Sequence, residues 1–225
     1  MARDSEAAPV FLLGADLSGP SNHGDTALAW FAAETESLHY RGHLANVSDA
    51  AALELVTMLA SRGPVVIGLD APLSYQDGGG FRPGDALLRQ TLNALNAHYV
   101  GVMSPTMARM TSLTLRGVVL ARMIGALPDP PRIVEVHPGA AMVLRGARLD
   151  ALRLYKTRQP GAAAARQVLR GWLATQGLAA LPDLSGSPHL TDACAAALAT
   201  WHWRAGRPVW VHRAAPPHHP YDYVA

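Results

Sequence analysis

Apolar residues occur along this chain in short dense runs, most of them closed by turn-forming residues. Residues 9–16, PVFLLGAD, read as a strand, and the LSGPSNHGD that follows reads as a turn. TALAWFAAE (26–34) and SLHYRGHL (37–44) are two further strands, close enough in sequence to form a hairpin. The rhythm then changes. Within residues 48–63, Leu53, Val56, Leu59 and Ala60 recur at helical spacing, with Ser48 placed to cap the first turn and Gly63 to stop the last. Residues 64–70 return to a continuous apolar run, a buried strand ending on Asp70. The order so far is strand, strand, strand, helix, strand.

Residues 71–131 are less regular and read as a helical insertion. GGGFRPG (78–84) is a flexible loop, and residues 85–100 are helical, with Leu87, Leu88, Leu92 and Leu95 forming an apolar stripe. A second helix spans 114–127 and is closed by PDPP. RIVEVHP (132–138) is another strand, with Glu135 near its end. Residues 155–177 supply at least one more helix, and residues 187–206 a last one, with Ser187 as cap and Pro188 in the first helical position. The Pro- and His-rich tail, about 214–225, is expected to be irregular. No internal repeat is visible, and residues 1–225 are expected to form a single domain.

Burying a lone carboxylate is costly, so an aspartate at the end of the most apolar strand needs a reason. Asp16, Asp70 and Glu135 would meet if their strands were neighbours with aligned ends. Asp192, about one turn into the last helix, shares a helix face with Ala195, Ala196 and Ala199, and that small-residue face could lie close to a sheet. Leu190, Cys194, Ala197, Leu198 and Trp201 fall on the other side, against further helices. Gathered carboxylates raise one another's pKa unless a cation neutralises them, and hard oxygen ligands suit magnesium or manganese.

Composition changes this picture little. Hydrophobic residues make up 49% of the chain, ample for a core, and no apolar run is long enough to span a bilayer. The opening MARDSEAAPV lacks the features of a signal peptide, and Cys194 is the single cysteine, so a cytoplasmic protein without disulfides is expected. Charge is more informative. The net value is only +2, but residues 71–170 hold thirteen basic residues against five acidic ones, which suits a polyanion such as nucleic acid. An arginine-rich composition, eighteen Arg to one Lys, is the plainer explanation of the same count.

The ordered set GADLSG (14–19), IGLDAPLS (67–74), FRPGDALLR (81–89), SPT (104–106), VEVHPGAAM (134–142), YKTRQPGAAAARQVL (155–169) and TDACAAALA (191–199) resembles the "domain of unknown function 429" family of predicted nucleases. That resemblance implies a ribonuclease H-like α/β fold, with three antiparallel strands and then parallel strands, flanked by helices. It implies Asp16, Asp70, Glu135 and Asp192 as catalytic acids and ligands of Mg2+ or Mn2+. It also implies Arg82, Asp85, Arg89 and Lys156 as residues that hold the substrate. The last helix keeps only Asp192 where such families often carry further aspartates, with Thr191 and Ala195 in the neighbouring places.

The expected function is metal-dependent hydrolysis of nucleic-acid phosphodiesters, through two divalent ions that activate a water and stabilise the leaving oxygen. The arginines would grip phosphate in bidentate fashion, and the sole lysine would oppose negative charge. Each of these residues also has an ordinary structural role open to it. The acids can cap helices or pair with arginines, and Asp85 and Arg89 can form a surface ion pair. His137 can be a proton shuttle or simply a hydrogen-bonding residue. Trp201 and Trp203 can stack bases or pack in the core, and Cys194 reads as buried. A non-catalytic nucleic-acid-binding module is the alternative. Phosphotransfer to a small molecule ranks below both, for want of a glycine-rich phosphate loop.

Overall fold

The computed structural model describes residues 8–225. The signal-peptide reading rests largely on residues 1–7, which lie outside the described residues. β1 (Val10–Asp16), β2 (Ala27–Ala33) and β3 (Leu38–Ala45) run antiparallel, and α1 (Asp49–Ala60) then returns the chain to β4 (Val65–Asp70), which pairs parallel to β1. The Ser48 hydroxyl accepts from the Ala51 N–H at 3.2 Å, the cap expected of it.

Two helices, α2 (Pro83–Ala94) and α3 (Ala108–Gly125), separate β4 from β5 (Arg132–Val136), which joins β4 in parallel. The short helices α4 (Pro138–Leu144) and α5 (Leu149–Leu154) follow, then α6 (Ala162–Thr175), β6 (Leu178–Ala179) and α7 (Pro188–Arg204). The chain closes with β7 (Val211–His212) and β8 (Tyr223–Val224). The result is a mixed α/β structure whose eight-stranded sheet has the order β6-β3-β2-β1-β4-β5-β8-β7.

The tail departs from expectation. β8 lies parallel to β5, with the His137 N–H donating to the Val224 carbonyl at 3.0 Å and the Glu135 N–H to the Asp222 carbonyl at 3.0 Å. The apolar Tyr223 and Val224 are buried on this edge, which is why the tail folds back onto the sheet. Helix boundaries shift as well: α2 ends at Ala94, six residues before the expected end at residue 100. α3 starts six residues before the expected position, and α4 begins directly where the RIVEVHP strand was expected to end.

Side chains alternate across the sheet, and each face builds its own core. Phe11, Leu13, Val65, Ile67 and Leu69 pack with α1 and α3, while Leu12, Val66, Val134 and Val136 pack with α7 and its neighbours. α7 lies directly on the second face. Gly14 and Gly68 stand side by side in the β1–β4 pairing. A Cβ on Gly14 would lie 2.0 Å from the Ala193 carbonyl oxygen, and one on Gly68 would lie 2.0 Å from the Thr200 Oγ1. Only glycine allows the helix backbone this close. The face of α7 against the sheet therefore runs through Ala193, Ala196, Ala197 and Thr200, rotated from the expected Asp192, Ala195, Ala196 and Ala199. No helix of the described residues is long and apolar enough to cross a membrane.

Candidate metal centre

Register brings two of the acids together. Asp16 and Asp70 are paired residues at the ends of adjacent parallel strands, so both point to the α7 side of the sheet. The first turn of α7 is fixed by Ser187, whose hydroxyl accepts from the Leu190 N–H at 3.1 Å, and Asp192 follows one turn in. Each of Asp16, Asp70 and Asp192 offers a carboxylate oxygen, and these three oxygens lie within 4.8 Å of one another. Asp16 and Asp192 are buried, and Asp70 is half-buried.

The charge of this cluster is only partly balanced. Lys156 Nζ sits 2.5 Å from Asp192 Oδ2, and the Tyr155 hydroxyl donates to Asp192 Oδ1 at 2.8 Å. Arg166 secures that segment, donating to the Tyr155 and Ser185 carbonyls at 2.7 Å each. The Lys156 stem is exposed, and loss of water around its ammonium works against the charge, but Asp192, Tyr155, Asp16 and Asp70 together hold its pKa well above the ordinary lysine value. On the far side, His189 Nδ1 is 2.8 Å from Asp16 Oδ2, and its Nε2 is 3.5 Å from Asp25 Oδ1.

Asp70 has no such partner among the described residues. Its pKa is pushed well above the usual carboxylate range by burial and then by Asp16, with Lys156 pulling the other way. Asp16 is raised less, because burial raises it while the hydrogen bond from His189 lowers it. Three hard oxygen donors whose negative charge is only partly balanced fit a divalent cation, the donor set that magnesium and manganese prefer.

Glu135 stands elsewhere. It pairs with Leu69, one residue short of Asp70, so alternation sends its side chain to the other face of the sheet. There Arg82 spans two acids. Its NH1 and NH2 donate to Glu135 Oε2 and Oε1 at 2.8 and 2.5 Å, while its Nε and NH2 donate to Asp85 Oδ2 and Oδ1 at 2.9 and 2.8 Å. The Leu73 N–H adds a bond to Glu135 Oε2 at 2.9 Å, and the Arg82 N–H adds one to Asp85 Oδ2 at 2.9 Å. All three side chains are buried. Burial pushes the Glu135 carboxyl up, and Arg82 and the Leu73 N–H pull part of that back.

The four expected acids thus divide into three and one, and Arg82 and Asp85 are committed to Glu135. Arg89 is exposed on the outer side of α2, its guanidinium 5.1 Å above the Phe81 ring, and it does not pair with Asp85. His137 caps α4 by accepting from the Ala140 N–H at 3.3 Å, and burial lowers its pKa to about 4. A neutral acceptor committed to a helix end makes a poor proton shuttle. Cys194 and Trp201 are core residues.

Asp16, Asp70 and Lys156, together with Arg82, Asp85 and Glu135 farther along the wall, line one cleft of about 220 Å³. Sequence reasoning missed His189 and Tyr155. The spacing of His189 and Asp192, three apart on one helix, was a usable signal; the Tyr155 contact spans 37 residues and left none.

Fold and site define an α/β protein with a carboxylate cluster at the carboxyl ends of its central parallel strands. More particularly, residues 14–218 match the family model described as "Protein of unknown function (DUF429)", and the chain belongs to that family. Comparison with curated proteins and with solved structures finds no match.

Proposed function

We propose that this chain is a metal-dependent nuclease built on a ribonuclease H-like fold. The observation that carries the reading is the convergence of Asp16, Asp70 and Asp192 from two adjacent strands and the last helix. The central strand order β3-β2-β1-β4-β5, with β2 antiparallel to its neighbours, supports the fold assignment. The basic middle of the sequence supports a polyanionic substrate.

In this reading Asp16 and Asp70 would hold Mg2+ or Mn2+, with Asp192 completing the set. The bound ion would lower the pKa of a water and offset charge at phosphorus. The water oxygen bonds to phosphorus and the bond from phosphorus to the leaving sugar oxygen breaks. One water proton stays on the product phosphate and the other ends on the leaving oxygen. Lys156 opposes the phosphate charge, and His189 holds Asp16 in place through Nδ1. Arg82, Asp85 and Glu135 act by shaping the wall of the cleft, since their hydrogen-bonding groups face one another.

Lys156 also favours a second reading. It already neutralises Asp192, leaving two carboxylates for a cation, which suits a nucleic-acid-binding module without catalysis. One experiment separates the two. Wild type, Asp16→Asn and Asp70→Asn are incubated with Mn2+ and labelled DNA and RNA. A nuclease cuts as wild type and loses at least about 100-fold of its rate, or roughly 2.7 kcal/mol, in either variant. Equal cleavage by all three proteins, or none by wild type, would falsify it. Retarded migration of nucleic acid without cleavage would then establish the binding module.

A further inference from the structure

We infer that the cleft admits an unpaired strand and excludes a duplex, an inference that rests on the nuclease reading and names the substrate of that same site. The carboxylates do not lie on an open surface. Asp16, only 7% exposed, and Asp70 line a cleft of about 220 Å³, a space on the scale of one nucleotide, and Asp192 is wholly buried behind them. One wall is formed by Met103, in the segment that leads into α3, and by Met110 and Leu113 from the first turns of α3 itself, and with Leu17 it is apolar.

This wall is anchored. Arg116 of α3 is buried and donates to Asp49 Oδ1 at 2.7 Å, the Ser18 carbonyl at 3.0 Å, Thr26 Oγ1 at 2.7 Å and the Val47 carbonyl at 2.8 Å. It thereby ties α3 to the loop that follows β1 and to the start of α1. The next residue, Gly117, lies against the residues that follow Asp70. A Cβ there would be 2.8 Å from the Ala71 Cβ and 2.9 Å from the Pro72 carbonyl oxygen. Swinging the wall outward to admit a base pair would strip a buried guanidinium of its partners, at a cost no surface contact repays.

The lining of the cleft matches the two parts of a nucleotide. Asp16, Asp70 and Lys156 supply the charge that a phosphate and a cation would meet. Two methionines and two leucines of the same lining suit the face of a base; flexible, polarisable methionine accepts rings of different shape, so little base preference is expected. A paired base would have to leave its partner before its phosphate could reach the carboxylates.

The test uses one labelled sequence as a single strand, as a blunt duplex and as a duplex with a single-stranded tail, each with Mn2+. The single strand and the tail are expected to be cut at least about tenfold faster than the blunt duplex. Met110→Trp, which fills the apolar side from a half-buried position, should slow single-strand cleavage at least about tenfold while Mn2+ binding, read by electron paramagnetic resonance, and the melting temperature stay unchanged. A blunt duplex cut as fast as the single strand, or a Met110→Trp protein that cuts like wild type, overturns this inference and leaves the nuclease reading standing. Cleavage of none of the three overturns the nuclease reading and this inference with it.

Discussion

Two groups of acids sit at the carboxyl ends of the central strands of one sheet, and they are built differently. Around Arg82, the carboxylates of Asp85 and Glu135 receive six hydrogen bonds from one guanidinium and two backbone N–H groups. Around Asp70, the balance fails: Asp16 and Asp192 crowd it, and Lys156 and His189 are spent on its neighbours. Residue type alone does not distinguish a structural acid from a candidate ligand. What distinguishes them is whether the surroundings already satisfy the charge. A satisfied cluster locks the fold, and an unsatisfied one is held for something that binds.

The strongest way to break this contrast is to remove the cation from the satisfied cluster. Arg82→Met leaves two buried carboxylates unpaired, and urea unfolding should show a loss of about 3–5 kcal/mol. A loss under about 1 kcal/mol would mean the cluster is not the lock described here. Lys156→Met tests the other cluster. Without metal it should lose about 1–3 kcal/mol, the cost of leaving the buried Asp192 carboxylate without its ion-pair partner, and added Mn2+ should restore most of the loss. If Mn2+ restores nothing, Lys156 is not acting as a counter-ion that a metal can replace.

The smallest expected effect has the opposite sign. The folded pKa of Asp70 is raised above its unfolded value of about 3.9, so its ionisation costs stability that is present at lower pH and lost as pH rises through the folded pKa. Asp70→Asn cannot ionise. In EDTA it should melt above wild type, by about 2–4 °C for each kcal/mol relieved, with the gap absent near pH 3.5 and widening toward pH 7. A gap that is constant with pH, or a variant that melts lower throughout, would show that Asp70 is not under this strain.

Much of the fold was legible along the chain because it depends on local pattern. Ser48 and Ser187 cap helices as read, and the strand, strand, strand, helix, strand order holds through β4. An irregular tail is what its proline and histidine content implies, whereas its pairing with the sheet depends on only two residues, Tyr223 and Val224. His189 carries only a weak signal in the sequence, because a histidine beside a helix cap has many ordinary uses.

By itself, then, the sequence determined that Asp16 and Asp70 would end apolar strands and that an acid on the last helix would follow a capped first turn. Tertiary structure decided which of the acids meet. A side chain's face depends on register with a strand far away in sequence, and a shift of one residue moves it across the sheet. That shift put Glu135 opposite Leu69, beside Arg82, and left Asp70 opposite Asp16. Which charges remain unbalanced depends on distances through space, set by packing α7 onto Gly14 and Gly68, and no spacing along the chain encodes those distances.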